Sequence, residues 1–432
     1  MATAIHPMGA MVCWAHSTMP ITKQCSAFTA AAMAVMAIAC GTPDPAEWRI
    51  ASLRELESPA GANSSEPQLS VSNRGVLISW IERVGTTTAL KFAERTGSGW
   101  TQPLTAASGP DWFLSYADVP SVQRLGNGTL VAQWLENTDP QIEAYNLRMS
   151  YSKDDGKTWA SSFLPHNDGT RSQHGFASMF DLPGNGLGVV WLDGRNSAFD
   201  FDKPDTGTME LRYASFDSNM KQTADVEIDH RVCECCQTTA AVTADGVLTA
   251  FRDLTPESVR DIGVSRLEGG TWTPTTIVAA DKWQIDFCPV NGPVLSARGN
   301  DVAIAWFTVK NDLGQAYAAF SSDAGRTWTA PQRLDEGGSL GRVDIEMLDD
   351  GTAVASWVEY AQGKTDLRLR RIDKSGARSA PQNIVAVSGG RASGFPRMAR
   401  QGDQLLFAWT ESASENDEGG ALKVSTAIVE LP

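Results

Sequence analysis

The sequence contains little positive charge, few histidines and few tyrosines. Its 432 residues include 36 lysines and arginines against 51 aspartates and glutamates, which gives a net charge of -15. Long-range repulsion therefore disfavours nonspecific binding to nucleic acid and to anionic lipid surfaces. Five histidines and six tyrosines leave few candidates for an imidazole base or a phenol nucleophile. We predict no nucleic-acid partner and a monomeric chain.

The sequence also lacks a hydrophobic run long enough to span a bilayer. The longest such run, residues 27–39, has 13 residues, whereas a membrane-spanning helix needs about 20. Lys23 precedes it and small residues end it, which is the pattern of an N-terminal signal peptide. We therefore predict a signal peptide over residues 1–39, with Met19 as an alternative start.

The residues at the end of this run resemble a lipidation site. Ile38-Ala39-Cys40-Gly41 is similar to the lipobox of bacterial lipoproteins. The resemblance implies that Cys40 carries the lipid, and that the exported chain faces the periplasm or the cell surface with this lipid as its only membrane anchor. The alternative is an ordinary cleaved leader in which Cys40 is incidental.

Seven short apolar segments each end in an aromatic residue. These residues are Trp80, Trp134, Trp191, Phe251, Trp306, Trp357 and Trp409, at intervals of 51 to 60 residues. A period of about 50 residues, with a turn before each strand, indicates radially repeated four-stranded sheets. We predict an all-β β-propeller of four-stranded antiparallel blades over residues 63–432, with seven blades favoured and six as the alternative.

The seventh repeat ends after its third strand, so its fourth strand has to come from elsewhere. The segment EWRIASLREL, residues 47–56, is similar to the fourth strands of other repeats. We predict that residues 40–62 contain the lipidated cysteine, a short linker and a strand that closes the ring and removes an exposed sheet edge. The alternative is a disordered linker.

Blade connectivity predicts that polar residues gather on one face of the disc. In each blade the inner strand begins where the second strand ends, and we call this face the top face. Two residues beyond the repeated aromatics stand Glu82, Glu136, Asp193, Asp253, Thr308, Glu359 and Glu411. About fifteen residues before the aromatics stand Cys236, Asn291 and Arg342. A common opening lined by these groups is expected, although a rim of salt bridges with no ligand is the alternative.

This face supplies the candidate functional residues. Asp193, Asp253 and Asp344 are candidate catalytic carboxylates, because glycoside hydrolysis needs paired acids. The candidate ligand-binding residues, as anion or hydroxyl contacts, are His174, Arg195, Arg252, Arg260, Asn291, Arg342 and Arg397.

Two turns resemble those of a known family. The segments SKDDGKTW (residues 152–159) and SSDAGRTW (residues 321–328) match the Asp-box of sialidase-like, BNR-repeat propellers. The segments RVCECCQ, RDIGV and CPVNGP resemble a group of bacterial sialidase-like proteins, and this resemblance runs from about residue 63 to the end. It implies the propeller fold with a shared top face, and glycoside hydrolysis if the chain is an enzyme. A sialidase nucleophile is not apparent, since none of the six tyrosines begins a late inner strand.

Four cysteines lie within the predicted propeller: Cys233, Cys235, Cys236 and Cys288. An even number in an exported chain predicts disulfides. The pairs Cys233–Cys236 and Cys235–Cys288 are favoured because the other local pairs would be strained, and an exchange of roles between Cys235 and Cys236 is the alternative pairing. A Zn(II) or Cu(I) site built from the same thiolates is the alternative.

Taken together, the top-face residues and the family resemblance predict binding of a small polar or saccharide ligand on the top face. An envelope scaffold and a metal-binding propeller are the alternatives.

Overall fold

Seven antiparallel sheets follow one another along the chain, and each contains one of the seven repeated aromatic residues. The computed structural model describes residues 47–97, 99–139, 142–197, 207–412 and 421–432. It confirms the all-β, seven-bladed propeller that the aromatic period predicts. The signal peptide (residues 1–39) and the lipidation site Cys40 lie outside the described residues.

The first described strand, β1 (Ser52–Leu56), belongs to the last blade. Blade 1 contains β2 (Ser64–Ser72), β3 (Gly75–Val84), β4 (Thr87–Thr96), β5 (Gly99–Trp100) and β6 (Leu104–Gly109). Blade 2 contains β7 (Ser121–Arg124), β8 (Leu130–Asp139) and β9 (Ala144–Ser152). Blade 3 contains β10 (His174–Leu182), β11 (Gly186–Ser197), β12 (Gly207–Phe216) and β13 (Gln222–Val232).

The remaining blades repeat this order from the centre outward. Blade 4 contains β14 (Thr239–Thr243), β15 (Gly246–Arg252), β16 (Ile262–Glu268), β17 (Thr271–Trp272) and β18 (Thr276–Ala279). Blade 5 contains β19 (Val294–Arg298), β20 (Asp301–Lys310), β21 (Leu313–Ser321) and β22 (Gln332–Arg333). Blade 6 contains β23 (Ser339–Met347), β24 (Ala353–Ala361), β25 (Lys364–Ile372) and β26 (Gln382–Ala386). Blade 7 contains β27 (Arg397–Gln401), β28 (Gln404–Ser412) and β29 (Leu422–Glu430).

The ring is closed by the strand that the sequence predicts. β1 pairs antiparallel with β29, with Ser52 opposite Glu430 and Leu56 opposite Thr426. The N-terminal strand thus completes the four-stranded sheet of blade 7. This pairing joins the two ends of the propeller by hydrogen bonds and covers the edge of β29.

The repeated aromatic residues fill the spaces between blades. All seven are buried, and each packs against the apolar side chains of the preceding blade. Trp357, for example, lies in a cluster with Ala303, Ala305 and Phe320 of blade 5. Burial of such large side chains is the main source of inter-blade stability.

The acid two residues beyond the aromatic often binds its indole. Side chains two apart point to the same side of a strand, so a carboxylate there can reach the ring nitrogen. Trp80 Nε1 donates to Glu82 at 2.9 Å, Trp191 Nε1 to Asp193 at 2.8 Å and Trp357 Nε1 to Glu359 at 2.6 Å. These acids satisfy buried indole groups that would otherwise cost about 1–3 kcal/mol each.

The two SxDxGxTW turns have the same geometry. Ser152 Oγ accepts from Gly156 N at 2.9 Å, and Ser321 Oγ accepts from Gly325 N at 2.9 Å. Both glycines have φ of +81°, which explains the residue type at this position. The turns follow β9 and β21, on the face opposite the top face.

A 3₁₀ helix at Arg391–Ser393 precedes the inner strand of blade 7. Among the described residues, no helix has both the length and the apolar character needed to cross a membrane.

Candidate functional site

The top face is built as the connectivity predicts. The first residues of inner strands lie opposite the residues that follow the repeated aromatics: Ser64 opposite Glu82, His174 opposite Asp193, and Ser339 opposite Glu359. Residues distant in sequence therefore meet at one edge of each blade.

Polar side chains at the entrance to the inner strands connect neighbouring blades. Each accepts a hydrogen bond from a backbone N–H of the next blade: Asp118 from Phe176 at 2.7 Å, Gln237 from Gly292 at 2.8 Å, Asn291 from Arg342 at 2.8 Å, and Asp344 from Met398 at 2.8 Å. The inner strands lie side by side around the axis and cannot pair as a sheet, so these side chains replace ladder hydrogen bonds. Part of the polar character of the top face is therefore structural.

A cavity of about 180 Å³ lies among these inner-strand entrances, and all seven blades contribute to its wall. Its polar lining includes Gln68, Asp118, Ser178, Gln237, Asp344 and Arg397. Two residues proposed from sequence, Asp344 and Arg397, thus face the same space. The other sequence-proposed site residues do not line it.

Arg397 is the cation of this cavity. Its Nε is buried and has no hydrogen-bond partner among the described residues. Asp344 is the opposing charge, but the oxygens of Asp344 accept from the backbone N–H groups of Ile345 and Met398, both at 2.8 Å. Burial lowers the pKa of Arg397, and the Asp344 charge opposes this. The guanidinium therefore retains donor capacity next to a cavity.

Two carboxyl groups that line the cavity have raised pKa values. Burial raises the pKa of Asp118 to about 7, against the effect of the Phe176 N–H. Burial likewise raises the pKa of Asp344 to about 6, with Arg397 acting in the opposite direction. Asp118 Oδ2 is buried and has no hydrogen-bond partner among the described residues, so a proton on this atom is a donor that the described part of the protein does not use.

A second group of sequence-proposed residues holds loops of blades 4 to 6 together. Arg252 is 2% exposed and donates to the carbonyl oxygens of Arg260, Asn291 and Phe307 at 2.6, 2.7 and 2.7 Å. Arg260 donates to Glu234 Oε2 at 2.6 Å and to the Ile285 carbonyl at 3.1 Å. Their donors are thus used by the protein itself.

Arg342 is similarly engaged, at the junction of blades 6 and 7. It donates to Ser393 Oγ at 2.5 Å and to the Gly390 carbonyl at 2.7 Å, and it is 8% exposed. Its backbone N–H binds Asn291, whose amide Nδ2 donates to the Pro289 carbonyl at 3.2 Å. The ligand-binding roles proposed for Arg252, Arg260, Asn291 and Arg342 stay predictions.

A third group lies between blades 2 and 3. His174 is fully buried and lies opposite Asp193 across β10 and β11. Both oxygens of Asp193 are bound by Arg195, each at 2.8 Å, and Oδ2 also accepts from Trp191. Burial raises the pKa of the Asp193 carboxyl and the Arg195 side chain lowers it, and the net effect is a lowered pKa. Asp193 is therefore an ionised, buried carboxylate, and its catalytic role stays a prediction.

The loop that precedes β10 adds two residues to this third group. His166 stacks on His174 with ring centroids 3.8 Å apart, and Asp168 Oδ2 lies 3.1 Å from His166 Nδ1 and 3.2 Å from His174 Nε2. Burial and the adjacent His174 lower the pKa of His166 to about 4. The ligand atoms of His166, Asp168 and His174 lie within 4.8 Å of one another, so this group is able to hold a metal ion.

Asp253 follows Arg252 at the end of β15, and its backbone N–H donates to the Asp261 carbonyl at 2.9 Å. It is half-buried, and burial and the charge of Asp229 raise its pKa to about 6, while His230 opposes the shift. Its catalytic role stays a prediction.

The cysteines show one of the two favoured disulfides. Cys235 and Cys288 are joined, whereas Cys233 and Cys236 are free, buried thiols, which corrects the second predicted pair. Cys236 is a hydrogen-bond partner of Cys233, and this contact together with Arg252 outweighs burial and lowers the pKa of Cys236 to about 7. The sulfur atoms of Cys233, Cys235 and Cys236 lie within 4.8 Å of one another, but Cys235 can supply a thiolate only if its bond to Cys288 is reduced. The thiolate metal site stays a prediction.

Sequence reasoning did not select Asp118, His166 or Asp168. Asp118 precedes Trp134 by sixteen residues, close to the spacing that selected Asn291 and Arg342, so the repeat itself contained this signal. His166 and Asp168 lie in a connecting loop, where no period applies.

Comparisons with known proteins give a structural relationship only. No protein-family model matches the sequence, and no curated protein matches it. An ulvan lyase of the polysaccharide lyases, solved with bound -[GlcA(1-4)Rha3S]-, is 9% identical, with a TM-score of 0.56 over 86% of this chain and 95% of the lyase. The polysaccharide lyase Uly1 is 8% identical, with a TM-score of 0.51 over 85% of this chain and 90% of its own. The shared feature is the fold. The β-propeller prediction is thus confirmed, while membership of the sialidase-like group stays a prediction.

Proposed function

We propose that this protein binds an acidic saccharide in the top-face cavity, with Arg397 as the contact to the ligand's anionic group. The observation that carries the proposal is the guanidinium itself. Its Nε is buried without a partner among the described residues, and its neighbouring acid Asp344 is engaged by backbone N–H groups. Arg397 is partly buried, with its guanidinium carbon 5.7 Å from the centre of the Phe395 ring, and a partly desolvated cation with an unused donor is stabilised when an anion or other acceptor binds it.

The size and lining of the cavity favour a small ligand. Sites for drug-sized molecules have volumes of about 300–1,000 Å³, and this cavity has about 180 Å³. It therefore suits a single sugar ring, such as the end of a chain. Gln68, Ser178 and Asp118 supply polar groups to the wall of the cavity, and the fold is shared with a lyase that was solved with a glucuronate-containing ligand.

The proposal predicts that Arg397→Gln weakens binding of glucuronate by about 10- to 100-fold, because a hydrogen bond to a charged group contributes about 1.5–3 kcal/mol. Titration calorimetry with glucuronate, and with glucose as the neutral analogue, measures this. Arg74→Gln is the matched control, because Arg74 lies in the β2–β3 turn on the opposite face and is half-exposed. Equal affinity of wild type and Arg397→Gln for glucuronate, or equal affinity of wild type for glucose and glucuronate, would overturn the proposal.

Hydrolysis of an acidic glycoside is a second candidate function, favoured by the protonated carboxyl of Asp118. A general acid with a pKa near the working pH accelerates such reactions by about 10²–10⁴-fold. We expect Asp118→Asn to lose this factor in the hydrolysis of a fluorogenic aryl glucuronide, with activity falling as the pH rises through 7. If Asp253→Asn abolishes hydrolysis and Asp118→Asn does not, the acid is Asp253, as the sequence indicated. If neither variant changes a measurable rate, these carboxyl groups are not the catalytic acid.

We further propose that the protein works outside the cytoplasm, anchored through Cys40. The disulfide between Cys235 and Cys288 supports an oxidising compartment. A top face with a small acidic-sugar site would then meet its ligand in the periplasm or at the cell surface.

A further inference from the structure

We infer that His166, Asp168 and His174 form a binding site for a divalent transition-metal ion between blades 2 and 3. The site is separate from the cavity, since none of the three residues lines it. The donor set of two imidazoles and one carboxylate suits ions such as Zn(II).

The hydrogen bonds of His174 carry the inference. Its Nδ1 lies 3.2 Å from the carbonyl oxygen of Tyr145, and a carbonyl only accepts, so Nδ1 bears the proton. In the neutral ring, Nε2 is then an acceptor with a lone pair. This lone pair faces Asp168 Oδ2 at 3.2 Å and Asp193 Oδ1 at 3.7 Å. Acceptors that face one another in a buried place need a cation or a proton between them.

The surroundings of His174 favour a metal cation over a proton between these acceptors. His174 Nε2 is buried, with no hydrogen-bond partner among the described residues, and the side chain is 0% exposed. A histidine that binds a metal through one nitrogen usually donates its other N–H to a carbonyl or a carboxylate, which is the arrangement at Tyr145. The ring orientation is thus already that of a ligand.

The second imidazole completes a convergent set. His166 Nδ1 lies 3.1 Å from the same oxygen, Asp168 Oδ2, and its Nε2 is also buried without a partner among the described residues. The two rings are stacked at 2° between planes, with an edge of each near Asp168. Imidazole lone pairs lie in the ring plane, so binding of one ion by both rings requires His166 to tilt out of this stack. Ligand atoms about 3 Å apart are what a metal with bonds of about 2.0–2.2 Å requires.

The negative charge of the group is not fully balanced by the nearby arginine. Arg195 is paired with Asp193 through two hydrogen bonds, and its approach to Asp168 Oδ2 is longer, at 3.5 Å. One carboxylate of the pair Asp168 and Asp193 is therefore not balanced by an arginine. A metal ion ligated by Asp168 would balance it without disturbing the Asp193–Arg195 pair.

The test uses the full chain, purified without reductant, treated with a chelator and then dialysed against Zn(II). We expect a single zinc ion per chain with a nitrogen and oxygen shell at about 2.0–2.1 Å in the X-ray absorption spectrum. His174→Gln and Asp168→Asn should bind zinc at least about tenfold more weakly, whereas the control His230→Gln, an exposed histidine, should bind it as wild type does.

Three results would overturn the inference. The first is no zinc retained by wild type beyond that of His174→Gln. The second is a shell of sulfur at about 2.3 Å, which would place the metal at the cysteines. The third is a doubly protonated His174 imidazole, seen by NMR, that persists when Zn(II) is added. The last two are measured on wild type, so they remain informative even if a variant fails to fold.

Discussion

Replacing Arg252 by leucine is expected to lower the free energy of unfolding by about 3–5 kcal/mol, the range for removing one member of a buried charged network. Arg252 is 2% exposed and donates to three carbonyl oxygens, those of Arg260, Asn291 and Phe307. Leucine fills part of the volume but donates nothing, so these buried carbonyls lose their charged partner. Its guanidinium also lies 4.9 Å from the Trp283 ring, an attraction that leucine cannot replace.

Chemical denaturation followed by tryptophan fluorescence measures this loss. The matched control is Arg74→Leu, whose ion pair with Asp155 is about half-exposed and is expected to contribute about 0–1 kcal/mol. A loss for Arg252→Leu no larger than that for Arg74→Leu would show that water or neighbouring groups satisfy the three carbonyls.

Replacing Asp118 by asparagine is expected to stabilise the protein relative to wild type increasingly as the pH rises. Asparagine keeps the acceptor for the Phe176 N–H but cannot ionise. In wild type the folded-state pKa, raised by burial to about 7, exceeds the unfolded value. The stabilising contribution of the protonated carboxyl is therefore complete below the unfolded pKa, is lost progressively as the pH rises, and is fully lost above 7. The difference between pH 4 and pH 8 amounts to about 4 kcal/mol.

Unfolding curves of both proteins at several pH values between 4 and 8 check this expectation. Asp155→Asn is the control, and its difference from wild type should stay nearly constant over this range. Arg74 lowers the pKa of Asp155, so the stabilising contribution of the ionised form is lost only as the pH falls below the unfolded value of about 3.9. A difference between Asp118→Asn and wild type that stays constant with pH would mean that Asp118 is ionised in the folded protein throughout.

The sequence predicted the fold because the period of a propeller is local. Each blade repeats the same strand lengths and turns, so Trp357 and its six counterparts mark the register without any knowledge of distant contacts. The connectivity of antiparallel strands also placed Glu82, Asp193 and Glu359 on the top face. Their use as indole partners was missed, since the sequence shows the side on which a residue lies and not what it contacts.

The candidate site was predicted in part. Asp344 and Arg397 meet in one cavity, as expected from the strand connectivity. Arg252, Arg342 and Asn291 reach the same face but are bound by carbonyl and backbone groups of loops, whose paths no sequence period describes. The same limit hid His166 and Asp168, which join His174 only because a loop of blade 2 folds against blade 3.

The sequence by itself determined the propeller fold and the face on which polar groups gather, and it favoured seven blades and a closing strand, because these follow from a repeat of about 50 residues and from the connectivity of antiparallel strands. Only the tertiary structure decided which polar groups remain available. Availability depends on whether a neighbouring blade already supplies a partner, as Met398 does for Asp344, or supplies none, as at Arg397 Nε and His174 Nε2. Whether such a partner lies within hydrogen-bond distance depends on contacts between residues far apart in the chain, and the sequence does not show these contacts.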